Sequence, residues 1–109
     1  PMREFLHVDD LGQAVLFALE NKLEEHLYNV GTGVDLTIKE LAELIQSIVG
    51  HEGKIQWDST KPDGTPRKLM DSSRLEVQGW SSAIELKKGV QMTYEWFLSP
   101  KSKLREVTI

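Results

Sequence analysis

The chain has 109 residues, 39% of them hydrophobic, no cysteine and a formal net charge of -4. That length and apolar content suit one domain with a modest core, burying roughly two-thirds of the surface of the unfolded chain. The missing cysteines exclude a disulfide framework, a thiolate metal site and a cysteine nucleophile within these residues, and the acidic balance argues against a nucleic-acid binder, which would carry a basic footprint.

No run approaches the ~20 apolar residues of a membrane span, so a cytoplasmic protein with no membrane association is expected. The opening residues "PMREFLHVDD" already read as an apolar strand with flanking charges. That start is expected of a C-terminal piece of something longer, with residues 1–109 forming one domain.

In chain order, "EFLHV" at 4–8 is β-prone, and Asp9 or Asp10 then precedes apolar positions Leu11, Ala14, Val15, Ala18 and Leu19. The spacing predicts a helix over about 10–22 with an aspartate as N-cap. "LYNV" at 27–30 reads as a short strand stopped by "GTG", a tight turn. Its two glycines lack the third glycine and the βαβ setting of a dinucleotide fingerprint.

Thr37 and Glu40 form a capping box ahead of Leu41, Leu44, Ile45, Ile48 and Val49, and Gly50 closes that helix. "KIQWD" at 54–58 alternates as a half-buried strand does. A helical turn is expected around "SSRLEV", and a last amphipathic helix carries Leu86, Val90, Tyr94 and Phe97 on one face, with Pro100 beyond its end. The tail "KSKLREVTI" has no strong pattern. The expected fold is a small α/β lobe, α+β-like, of three short strands with three to four helices; so thin a sheet is expected to lean on a larger partner domain.

The polar segment "DSTKPDGTPRKLMDSS" at 58–73 is the most unusual stretch. Pro62 and Pro66 restrict φ, Asp63-Gly64 reads as a turn, and Lys61, Arg67 and Lys68 supply positive charge. Two readings stand. A preformed turn presenting Arg67 and Lys68 suits a diphosphate, because arginine binds phosphate oxygens bidentately and lysine adds a point charge. Alternatively the turn is solvated and its charges pair with Asp58, Asp63 and Asp71. Arg3, beside an apolar strand, either meets an anion in a cleft or pairs with Glu4 or Asp10 at the surface, and pattern alone favours the surface.

His7, Asp9 and Asp10 lack the partners that would complete a metal-ligand set, and helix capping explains the carboxylates. Trp57, Trp80, Tyr94, Trp96 and Phe97 suit core and interdomain packing better than base stacking. No Ser-His-Asp arrangement is evident, and neither Tyr28 nor Tyr94 is followed by lysine at the fourth residue. These residues alone are expected to be catalytically inactive. A stand-alone interaction module, with a solvated turn and a partner-binding aromatic face, is the bland alternative.

The residues also carry a resemblance. "REFLHVDDLGQAV" and "YNVGTGVDLTIKELAELI" are similar to segments of extended short-chain dehydrogenases/reductases acting on nucleotide sugars. "DSTKPDGTPRKLMDSSRLEVQGW" resembles the GDP-L-fucose synthase family of 3,5-epimerase/4-reductases, and the likeness runs from Pro1 to about Leu98.

The resemblance implies the C-terminal substrate lobe of a Rossmann protein, closing over a GDP-sugar. Arg3 and Lys68 would contact its phosphates, with Asp63, Lys54 and Arg67 as further substrate-side candidates. Lys54 stands where some relatives have arginine, and Glu85 where relatives often have serine or threonine before the last helix. NADPH would be bound by a missing N-terminal domain, which would also hold the catalytic residues and build a homodimer of the parent protein. A related lobe for another nucleotide-sugar epimerase or dehydratase fits the widely shared segments equally.

Overall fold

A computed structural model describes residues 1–62 and 64–100. The elements in chain order are β1 (Met2–Glu4), α1 (Val8–Glu20), β2 (Asp35–Thr37), α2 (Ile38–Val49), β3 (Arg67–Lys68), α3 (Ser73–Val77) and α4 (Leu86–Leu98). Among the described residues they make an α/β fold, as expected, around a small mixed sheet of order β2-β1-β3. β1 runs antiparallel to β2 and parallel to β3, with Arg3 opposite both Leu36 and Lys68.

The helices follow local chemistry. α2 begins with the expected capping box: the Thr37 side chain accepts from the Glu40 N–H, and the Glu40 carboxylate accepts from the Thr37 N–H, each at 3.0 Å. Gly50 ends it in the left-handed region at φ 74, where an L side chain would be strained. α3 and α4 lie where the sequence placed them. Glu85 is the N-cap of α4 but makes no side-chain capping bond.

α1 starts earlier than expected, at Val8, because the His7 ring and neither aspartate caps it: its Nδ1 accepts from the Asp9 N–H at 3.0 Å. Asp10 is instead turned inward and 3% exposed. Its two carboxylate oxygens accept from the N–H groups of Ala83 and Ile84 at 3.1 and 3.0 Å, tying α1 to the segment that leads into α4.

The strands are the main correction. β1 lies at residues 2–4 and not 4–8, while "LYNV" and "KIQWD" are not strands. Tyr28 and Val30 pack against the core without joining a ladder, and Trp57 is 52% exposed. β2 forms between the GTG turn and the α2 cap, and β3 forms in the segment read as a turn. Strands of two or three residues are too short to display a side-chain period, so their pairing is set by the backbone of β1.

The core is small: Leu75, Ala14 and Trp80 are buried, with Leu6, Phe17, Tyr28 and Val30 packed around them. α2 lies against α4. One face of α1 stays uncovered, with Val8 at 70%, Val15 at 54% and Leu19 at 80% exposure. Among the described residues, no helix is long and apolar enough to cross a membrane.

Candidate anion-binding face on β1 and β3

The sheet brings together residues that the sequence keeps far apart. In a pleated sheet, residues directly opposite on neighbouring strands share a face, and successive residues alternate faces. Arg3 and Lys68 are opposite each other, so both belong to one face of the sheet. The turn at Gly64, at φ 78, passes close to Arg3, such that a Cβ there would be 3.8 Å from the Arg3 Nη2. The Arg3 guanidinium also donates to the Met2 carbonyl through Nη1 at 2.7 Å.

Arg67 belongs to the other face, opposite Met2. There its Nε donates to the Asp35 carboxylate at 2.7 Å, across the neighbouring strand. Asp35 is 9% exposed and Arg67 61%, so the pair is half open to water and contributes on the order of 1 kcal/mol or less. More important is its direction: the Arg67 side chain is committed to β2, whereas Lys68 makes no ion pair among the described residues.

Two acidic residues of the polar segment, Asp58 and Asp71, are occupied locally and form no ion pair with its lysines among the described residues. The Thr60 hydroxyl, and after it the Thr60 amide, hold the Asp58 carboxyl below the ordinary aspartate range. The Ser73 side chain first, then its amide, do the same for Asp71, which sits ahead of α3. Lys54 is exposed on the coil after α2, and nothing among the described residues ties it to Arg3 or Lys68. Asp63 lies outside the described residues.

Two residues on the opposite face, the one that carries Arg67, escaped sequence reasoning. Asp35 follows the GTG turn and has no signal of its own. Glu4 read only as a surface partner for Arg3, yet it accepts from the Gly33 N–H at 2.6 Å and the Met70 N–H at 3.2 Å. The glycines at 31 and 33 were its signal. Because a carboxylate fills that turn, an anionic dinucleotide pyrophosphate does not fit there.

Among the described residues, no group of three or more histidine, aspartate or glutamate side chains could hold a metal ion. An apolar groove of about 460 Å³ runs between the end of β1, α2 and α4, walled by Phe5, Ile45, Tyr94 and Phe97 among others; Arg3, Arg67 and Lys68 are not part of its lining.

No family model matches the chain. Among curated proteins it is 54% identical to GDP-L-fucose synthase 1 of Arabidopsis thaliana, over 90% of this chain and 30% of that protein. It is 47% identical to the GDP-L-fucose synthase of Escherichia coli, over 96% of this chain and 36% of that protein. Among solved structures it superimposes on a GDP-mannoheptose C4 reductase from Campylobacter jejuni with NADP bound, at TM-score 0.79 and 36% identity, covering 90% of this chain and 32% of that one. The chain therefore spans about a third of the length of the relatives it matches. Over at least nine-tenths of its own length, it is a homologue of GDP-L-fucose synthases.

Proposed function

We propose that this chain is the substrate-binding lobe of a cytoplasmic, NADPH-dependent GDP-L-fucose synthase that converts GDP-4-keto-6-deoxy-mannose to GDP-L-fucose. The observation that carries the proposal is the juxtaposition of Arg3 and Lys68 across β1 and β3. Arginine offers paired N–H donors in a plane and lysine a compact charge, a combination that suits two adjacent phosphate groups. Pro62 and Pro66 stiffen the segment entering β3, which reduces the loop entropy lost on binding.

In this reading Arg3 and Lys68 bind the diphosphate, and Arg67 holds β3 to β2 through Asp35. Asp63 and Lys54 remain substrate-side candidates by resemblance. NADPH and the catalytic residues belong to an N-terminal Rossmann domain outside this chain, through which the parent protein dimerises. The uncovered α1 face with Val8, Val15 and Leu19 suits packing against such a domain. The part played by this lobe is to seat and orient the GDP-sugar.

A second reading keeps the GDP moiety and changes the sugar, and the likeness to the GDP-mannoheptose reductase favours it next. Both are tested by following NADPH oxidation by the full-length protein with GDP-4-keto-6-deoxy-mannose and with a GDP-4-keto-heptose. Turnover of the first substrate alone is expected. Turnover of the heptose alone selects the second reading, and no oxidation with either sinks both.

A further inference from the structure

The Gly31-Thr32-Gly33 turn has no part in the reading above, yet it is built around a carboxylate. Glu4 closes β1, and its Oε2 accepts from the Gly33 N–H at 2.6 Å and from the Thr32 hydroxyl at 3.4 Å. Its Oε1 accepts from the Met70 N–H at 3.2 Å. A Cβ on Gly31 would lie 2.6 Å from one of these oxygens and 2.8 Å from the other, so only glycine leaves room for the carboxylate where it stands. Gly33 turns the chain at φ 76, which points its N–H at Glu4.

β3 needs such a tether. It is two residues long and edges the sheet against β1 alone. Just before it, the Met2 N–H donates to the Pro66 carbonyl at 2.7 Å. Just after it, Glu4 takes the Met70 N–H. The two bonds bracket Arg67 and Lys68, and both come from β1. Glu4 follows Arg3 on an extended strand, so its side chain leaves by the opposite face and its charge does not compete with a ligand on the Arg3 side.

Resting on the reading that Arg3 and Lys68 bind phosphate, we propose that Glu4 is a positioning residue whose carboxylate, seated in the Gly31–Gly33 turn, fixes the end of β3 so that Lys68 stays opposite Arg3. A glutamine cannot replace it. One amide oxygen can accept, but the amide NH2 then confronts the second backbone N–H, and one of the two tethers is lost.

The test is calorimetric titration of GDP into the full-length protein that carries this chain, as wild type, Glu4→Gln, Gly31→Ala, Lys68→Ala and the Glu4→Gln/Lys68→Ala double variant, with NADPH titrated in parallel. Loss of one tether to the carboxylate, felt only in part at Lys68, raises the GDP Kd about 3- to 10-fold in Glu4→Gln. Gly31→Ala keeps the carboxylate but displaces it, and is expected to give the same rise. Adding Glu4→Gln to Lys68→Ala is expected to weaken GDP no further, and NADPH affinity should not move.

A general structural defect gives the opposite pattern: GDP weakens equally in both backgrounds and NADPH weakens too, which overturns the role of Glu4. Normal GDP binding in Glu4→Gln and Gly31→Ala, with weak binding in Lys68→Ala, also overturns it while leaving the phosphate face intact. Normal binding in Lys68→Ala brings down the phosphate face and this inference with it. Should Glu4→Gln fail to fold, Gly31→Ala decides alone, and an unchanged Kd there refutes the proposal.

Discussion

Asp10 ties α1 to the segment that leads into α4, and replacing it should cost more than a surface change. Asp10 is 3% exposed, and its carboxylate accepts from two amides, those of Ala83 and Ile84, at 3.1 and 3.0 Å. A hydrogen bond to a charged group contributes about 1.5–3 kcal/mol, and an amide left without a partner costs a similar amount. Asp10→Ala orphans both amides. Because the 83–84 segment is only partly buried, water can reach some of that deficit, and we expect a loss of about 3–5 kcal/mol.

Asp10→Asn is the more informative variant. It keeps one acceptor, places an NH2 against the other amide, and should cost about half as much, ~1.5–3 kcal/mol. Urea denaturation followed by tryptophan fluorescence measures both, as a fall in midpoint at constant slope. Amide exchange at Ala83 and Ile84 should accelerate before that of α2. An Asp10→Ala protein within about 0.5 kcal/mol of wild type, or an asparagine variant as stable as aspartate, refutes the reasoning, since either result means that the carboxylate is not holding those amides.

At the start of α4, Glu85 makes no capping bond, so Glu85→Ser should stabilise the protein by about 0.5–1 kcal/mol, read as a higher denaturation midpoint; no gain would show that the α4 amides already have partners. Gly50→Ala meets no atom within 4 Å, so its cost is that of the φ 74 backbone alone, about 1–2 kcal/mol, and a neutral result would remove the left-handed cap from the reading of α2. The Thr37 amide, and next its side chain, lower the pKa of Glu40. A folded-state pKa below the unfolded one means stability that is present above the unfolded value and lost as pH falls through the folded one. Protection of the first α2 amides should therefore decline on acidification below the usual glutamate range, and not in Glu40→Gln; a Glu40 carboxyl titrating at or above its ordinary value by NMR would contradict this.

What the sequence shows of this fold is whatever is stabilised locally. The Thr37/Glu40 box and Gly50 bound α2 because caps act within a turn of the chain, and the apolar stripe of α4 has a helical period. Strands of two or three residues carry no period, which hid β2 and β3 and left two better-patterned segments as false strands. The site suffered in proportion. Arg3 and Lys68 were nameable from resemblance, but which of two adjacent basic residues shares a face with Arg3 follows only once residues 67–68 are known to be extended and parallel to β1. Asp35 and Glu4 acquired partners through the same pairing, across separations that no local motif spans.

The assignment of Lys68 and not Arg67 to the diphosphate is decided by titrating GDP into full-length protein carrying Lys68→Ala or Arg67→Ala. Losing a charge-assisted bond to phosphate should weaken GDP about tenfold or more in Lys68→Ala. Arg67→Ala, which removes only the bond to Asp35, should stay within about threefold of wild type. Equal losses, a larger loss in Arg67→Ala, or full affinity in both would contradict a phosphate face built from Arg3 and Lys68.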